Sequence, residues 1–333
     1  MAGILALLTM FSLASLLTEA SVLVPALYVF GDSIVDGGNT QANPLYGIDL
    51  NTTIPIRWSN GKTVADFIAS FLGLPFVPPS TSTSGVKISK TGVNYGHSSC
   101  GLLRQTFLAN CSFEDQIGQF NLTVANDLTK EFNPQELVQH LTSSVFLVSF
   151  GQNDYNFNYL SSGVVSKMAP QEFAKILLNE MSTGLKTLYK LGARKFVVKN
   201  IWPLGCLPHF VNQLDPRAVS CNETINQLVV PYSNNLPIML NDLQSYLIGA
   251  AFSHSNEFQF VADLMENPRK YGITNTIGYC YDPDKPNTIC KDRDQYLNFD
   301  FFHPTQAANY VFSLNCFDGT LCSPLNIRTL VGA

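Results

Sequence analysis

Charge is scarce in this sequence. Only 14% of its 333 residues are Asp, Glu, Lys or Arg, while 46% are hydrophobic, and the formal net charge is −5. Soluble domains usually carry about a quarter charged residues. The 20 Lys and Arg are scattered and outnumbered by 25 Asp and Glu, which argues against the basic footprint of a nucleic-acid binder. No C-x-x-C pair occurs, so neither a zinc site nor a thioredoxin-type redox site is expected. G-x-S-x-G is absent too, which removes the ordinary α/β-hydrolase elbow. Beyond residue 20 no segment is long and apolar enough to span a bilayer. Histidine occurs only five times, so histidine chemistry has few places to sit.

The first 20 residues, MAGILALLTMFSLASLLTEA, are almost all apolar or small. They end in Thr18-Glu19-Ala20, a small-x-small cleavage pattern, and read as a secretory signal peptide. The alternative is a membrane anchor, for which an apolar core of about 15 residues is short. Cysteine usage agrees with secretion. The eight cysteines fall into near neighbours: Cys100 and Cys111, Cys206 and Cys221, Cys280 and Cys290, Cys316 and Cys322. Sequence alone leaves 105 connectivities open. Four local loops are the simplest in an oxidising compartment. N-x-[ST] sequons at Asn51, Asn110, Asn121 and Asn222 favour a glycosylated extracellular protein.

Short apolar runs then alternate with helical patterns. Strands are expected at 26–30, 145–150, 195–201 and 258–262, each nearly continuous in apolar residues, as in strands covered on both faces. Helical spacing marks Val64 to Leu72, ending at Gly73, and Phe173 to Leu188, ending at Gly192. A third helical stretch, 224–247, contains Pro231 and Pro237, which should kink or divide it. The run 78–85, PPSTSTSG, reads as an exposed loop. This alternation argues for an α/β fold, a mostly parallel sheet with helices on both faces. No linker interrupts residues 21–333, so they are read as a single domain.

Candidate chemistry begins at LYVFGDSIVDGGNT. Ser33 directly follows the first expected strand, on the carboxyl edge where open α/β sheets bind ligands. A serine hydroxyl needs a partner to take its proton. His303, in NFDFFHPT, follows Asp300 by three residues. That spacing lets the carboxylate hold Nδ1–H and leaves Nε2 for the serine. Pro304 suits a first helical position, so the alternative is that Asp300 and His303 merely cap a helix. GQNDY follows the second expected strand. There Asn153 offers an N–H₂ to a developing oxyanion and Gly151 permits close backbone approach, unless this is an ordinary Asn-Asp turn. VNYGHSSCG also looks like a short strand ending in a turn. It supplies a backbone N–H near Ser99, or it is simply a disulfide-tethered loop. Asp32, Asp36 and Asp154 mimic carboxylate metal ligands, but without a histidine cluster no metal is expected.

FGDSIVDGGNT, NYGHSSCG, GQND and DFFHP occur in that order across nearly the whole chain. Together with RWSNGKTVADFIASFLGLP, CSFEDQIGQF, LYKLGARKFVVKNIWPLGCLP and NPRKYGI, they closely resemble the plant-type secreted branch of the GDSL esterase/lipase family, in the SGNH hydrolase superfamily. The resemblance spans roughly residues 24 to 330. It implies a flavodoxin-like three-layer sandwich. It also implies Ser33 as nucleophile, His303 as general base and then acid, and Asp300 as its orienting partner. The implied oxyanion hole comprises the Ser33 N–H, a backbone N–H of the second block at Ser99, and the Asn153 side chain. No cofactor is implied. Three departures stand out. Thr40 replaces a usual Asn, Ser98 and Ser99 stand where Gly or Ala is usual, and the segment between Cys280 and Cys290 lacks the branch's Cys- and Gly-rich pattern.

The resulting expectation is a secreted carboxylic ester hydrolase acting through an acyl-enzyme on a small-molecule, lipid or cell-wall ester. A base that must be neutral predicts activity near or above neutral pH. Acyl transfer to a hydroxyl acceptor is the alternative with the same chemistry. A catalytically weak secreted binding protein is the alternative from another class. Phe157, Tyr159, Phe301 and Phe302 are candidates for an apolar acyl pocket, or else core residues.

Overall fold

The computed structural model describes residues 22–51, 54–83, 90–107, 111–211, 220–285 and 287–332. The leader and Asn110 lie outside these residues. The strands are β1 (Leu27–Gly31), β2 (Val145–Ser149), β3 (Lys195–Lys199), β4 (Ala251–Ser255), β5 (Asn275–Tyr279), β6 (Tyr296–Asn298) and β7 (Cys322–Ser323). The α-helices are α1 (Val64–Phe71), α2 (Phe113–Thr123), α3 (Thr129–Glu131), α4 (Pro134–Ser143), α5 (Pro170–Lys190), α6 (Pro208–Val211), α7 (Glu223–Tyr246), α8 (Glu257–Glu266), α9 (Gln306–Phe317) and α10 (Ile327–Gly332).

The central sheet has the order β1-β2-β3-β4-β7. Its first four strands are parallel and β7 joins antiparallel at the edge. Every residue of β1 and β2 is buried. Their continuous apolar runs follow from this, since both faces of the sheet are covered. α2, α5 and α7 pack together in one layer, and α1, α9 and α10 in the other. This is the expected α/β sandwich.

Two element assignments differ from expectation. Residues 258–262 are helical, inside α8. Asn256 accepts the Gln259 N–H as N-cap, and Phe260, Val261 and Leu264 form a buried helical face. The fourth strand is instead β4, where Ser253 and His254 interrupt the apolar run and hide it. α7 is one continuous helix of 24 residues with Pro231 and Pro237 inside it. Burial of Val229, Tyr232, Leu236, Leu240 and Leu243 against the body outweighs the hydrogen bonds that proline cannot make. In the segment read as a loop at 78–85, Ser80–Thr83 form a 3₁₀ turn, and 84 and 85 are outside the described residues.

Residues 91–97 run beside β1 on the side away from β2. Leu27 and Val29 donate N–H groups to the carbonyls of Thr91 and Val93, and Tyr95 and His97 donate back to Val29 and Gly31. The chain therefore leaves β1 to one side and returns to β2 on the other. Such a reversal opens a crevice at the carboxyl ends of the strands.

The four disulfides are Cys100–Cys111, Cys206–Cys221, Cys280–Cys290 and Cys316–Cys322, each joining near neighbours. Of the sequon asparagines, Asn51 and Asn121 are exposed, while Asn222 is half-buried and caps α7 through Ile225 N–H.

Candidate active site

The reversal brings three loops to one edge: that after β1 with Ser33, that after 91–97 with Ser99, and that after β2 with Asn153. Two glycines set the backbone there. At Gly31 a Cβ would lie 2.4 Å from Val35 Cγ2 and 2.6 Å from the Ser149 carbonyl. Gly151 has φ +117°, and its Cβ would meet Ile201 Cδ1 at 2.6 Å. Gln116 closes the end of β1. Its amide oxygen accepts the Gly31 N–H at 2.9 Å and its nitrogen donates to the Gly31 carbonyl at 2.8 Å.

The first and second blocks are stitched together. Asp36 accepts N–H groups from Gly38, Asn39 and Ser98. Asn39 donates to the carbonyls of Asn94 and Gly96. Thr40 Oγ1 also accepts the Ser98 N–H, at 2.9 Å. This commits the Ser98 N–H and leaves the Ser99 N–H with no acceptor among the described residues. Ser99 reaches this orientation at φ +66°, in the left-handed region. The turn natural to glycine is thus kept despite the side chain, at a cost of about 1–2 kcal/mol.

His303 arrives from the far end of the chain on the β6–α9 connection. Asp300 folds that connection by accepting the N–H groups of Phe302 and His303 on Oδ1, both at 2.8 Å. Its Oδ2 lies 2.7 Å from His303 Nδ1. His303 Nε2 in turn lies 2.9 Å from Ser33 Oγ, across 270 residues of sequence. Pro304 is not the first residue of α9. Thr305 is the N-cap, accepting the Ala308 N–H, because the Pro304 segment pairs with Asn298 instead. Asp300 and His303 therefore do not cap the helix.

Burial pushes the Asp300 carboxyl up, but the His303 charge and hydrogen bonds from His303, Tyr46 and Phe302 outweigh it and bring it below the ordinary range. Burial dominates at two neighbours. It pushes Asp32 up to about 7 and Asp154 up to about 6. Asp154 accepts from Leu102 N–H, Leu103 N–H and Thr106 Oγ1, so it pins the loop behind Cys100. Asp36 and Asp154 thus organise backbone. The one cluster with metal-ligand composition among the described residues is His97, Cys100 and Cys111, whose cysteines are disulfide-bonded to each other.

Asn153 Nδ2 donates to the Cys100 carbonyl at 2.9 Å, which fixes the amide and leaves its second N–H. The Ser33 N–H also lacks an acceptor among the described residues. Ser33, Ser99 and Asn153 line one cavity of about 160 Å³ together with His303. Its apolar wall is Ile34, Phe157, Leu204, Leu207, Phe210 and Phe302. Of the aromatic candidates, Phe157 and Phe302 line it. Phe301 packs instead on Tyr279, and Tyr159 is buried against Phe173.

Sequence reasoning missed Tyr46 and Trp58. The Tyr46 O–H donates to Asp300 Oδ2 at 2.5 Å, and the Trp58 ring lies 5.4 Å from the imidazole. Tyr46 belongs to a small second core with Cys280, Tyr281 and Phe299. The segment closed by Cys280–Cys290 thus packs behind the carboxylate. None of its described residues lines the cavity. Tyrosine in a loop carries no signal that points to a carboxylate 254 residues away.

A family model for GDSL-like lipase/acylhydrolase matches residues 27–313. GDSL esterase/lipase 7 of Arabidopsis thaliana is 34% identical over 321 residues, covering 89% of this chain and 88% of that protein. GDSL esterase/lipase At1g71691 of the same plant is 33% identical over 332 residues, covering 92% and 86%. With a family model spanning most of its length and relatives this similar end to end, the chain belongs to the GDSL-like lipase/acylhydrolase family and is a hydrolase acting on ester bonds.

Proposed function

We propose that the protein is a secreted carboxylic ester hydrolase that works through an acyl-enzyme on Ser33. The observation that carries this reading is the continuous line from Ser33 Oγ through the His303 imidazole to Asp300, at 2.9 and 2.7 Å. Ser33 Oγ attacks the ester carbonyl as His303 Nε2 takes its proton. Asp300 holds the imidazole and stabilises the imidazolium. The N–H groups of Ser33 and Ser99 and the free N–H of Asn153 stabilise the oxyanion. His303 then returns the proton to the leaving alcohol, and water activated by the same imidazole releases the acid. Residues 21–333 act as one domain after removal of the leader at 1–20. Four disulfides suit an oxidising compartment. Among the described residues no helix is long and apolar enough to cross a membrane.

The short Ser33–His303 distance counts against the binding-protein alternative. The test compares the purified protein with Ser33→Ala on p-nitrophenyl acetate and longer acyl esters. Turnover should vanish in the variant while its circular dichroism is unchanged. Equal turnover in both proteins removes Ser33 from the mechanism.

A further inference from the structure

A second compartment lies directly behind the catalytic cavity. The two share Ile34, Gln152, Leu207 and Phe302 as a partition. Three of these four are chain neighbours of Ser33, Asn153 and His303. The catalytic side of the partition has a mainly apolar wall, and the far side sets buried polar side chains among apolar ones. Trp202, Asn298 and Asn309 line it, each at least nine-tenths buried. Trp202 Nε1, Asn298 Nδ2 and Asn309 Oδ1 have no hydrogen-bond partner among the described residues. The Asn309 amide is oriented by its nitrogen, which donates to the Lys62 carbonyl at 3.0 Å. Lys199 also lines the compartment, and Glu257 holds it in a buried ion pair at 2.6 Å.

Buried polar atoms are normally satisfied. Here two donors and one acceptor belong to residues that line a space of about 10 Å³, room for about one oxygen-sized group. A hydroxyl or a water accepts from two donors and donates to one acceptor, which matches this set. A methyl group satisfies none of the three. A carboxylate cannot donate to Asn309 Oδ1. We propose that this compartment is the distal end of the acyl site and receives a hydroxyl carried on the acyl chain, so that esters of hydroxy acids are preferred over esters of plain alkanoic acids. The proposal rests on the acyl-enzyme reading of Ser33. With a methyl-ended chain, water occupies the compartment or the three polar atoms stay unpaired, and the discrimination follows from that difference.

The test measures kcat/KM for paired p-nitrophenyl esters, hexanoate against 6-hydroxyhexanoate and octanoate against 8-hydroxyoctanoate. The hydroxy ester should win by about tenfold or more at one of these lengths. Trp202→Phe keeps the ring against Phe312, whose centroid is 4.7 Å away, but removes the donor. It should cut the ratio severalfold, as should Asn298→Leu. Ratios near one at both lengths in the unaltered protein would mean that the compartment holds only a structural water, and overturn the proposal. So would a high ratio that both variants retain, because the hydroxyl is then read elsewhere. Acetate turnover that survives Ser33→Ala defeats the acyl-enzyme reading and the proposal with it. Acetate turnover that requires Ser33, with ratios near one, defeats the proposal alone.

Discussion

Removing one oxygen from Tyr46 should weaken both the fold and the site. In Tyr46→Phe the ring stays between Trp58, Tyr281 and Phe299, at centroid distances of 5.0 to 5.6 Å, so packing is preserved. What is lost is the 2.5 Å hydrogen bond to Asp300 Oδ2. A hydrogen bond to a charged group contributes about 1.5–3 kcal/mol. The backbone donors on Oδ1 and the imidazole on Oδ2 remain, so we expect the lower end of that range. Asp300 still touches His303, but one of the bonds that fixes its carboxylate is gone. We therefore expect kcat/KM to fall about tenfold, equivalent to ~1.4 kcal/mol, with kcat carrying more of the loss than KM. The lost bond also lowered the Asp300 carboxyl. A depressed carboxyl contributes stability above its unfolded value, about 3.9, and loses it as pH falls through the folded value. The variant should accordingly gain less stability than the parent between pH 2 and 5. Urea unfolding across that range and steady-state kinetics at pH 8 check both arms. Parental kinetics together with parental stability would refute the reasoning. A loss above a thousandfold would also refute it, since it would mean that the hydroxyl contacts substrate.

Asn153→Ala should lower kcat by about 10²–10³ with little change in KM, because one oxyanion donor is removed; stopped-time assays with p-nitrophenyl acetate measure it. Ser99→Gly should keep activity, since the N–H survives, and should raise stability by about 0.5–1 kcal/mol once relief at φ +66° is set against the greater freedom of unfolded glycine. Retained turnover with a raised thermal midpoint is the expected result. Asp32 is buried with its carboxyl pushed up to about 7. The folded chain therefore holds that proton more tightly than the unfolded one, and stability falls as pH rises from about 4 to about 7. Asp32→Asn should match the parent at pH 4 and exceed it by roughly 2–4 kcal/mol at pH 8; an equal gap at both values, by urea unfolding, would contradict the assignment.

The parts of the fold that could be read in advance are those where local pattern and burial agree. β1 and β2 are continuous apolar runs because both faces are covered, and α5 repeats its apolar residues at helical spacing because one face is. Where the two disagree, reading failed. β4 carries a buried Ser253 and a half-buried His254, so its pattern does not look like a strand. Residues 258–262 are apolar enough for a strand, but Asn256 caps a helix just before them. α7 survives two prolines because its buried face stabilises what local propensity opposes.

At the site, the sequence by itself determined the chemistry available. One serine after an apolar strand, one Asp-x-x-His near the end of the chain and one Asn after a second strand are properties of residue type and spacing. Short-range geometry such as the Asp300 turn onto His303 follows from three residues of separation. Only the tertiary structure decided which groups meet. The reversal at β1 sets Ser33, Ser99 and Asn153 on one edge, and the β6–α9 connection brings His303 within hydrogen-bond reach across 270 residues. Tyr46 behind Asp300, the choice of the Ser99 over the Ser98 N–H, and the small compartment behind Ile34 and Phe302 are long-range outcomes of the same kind. They depend on how layers stack and which donors are already taken, and those facts exist only once the chain has packed.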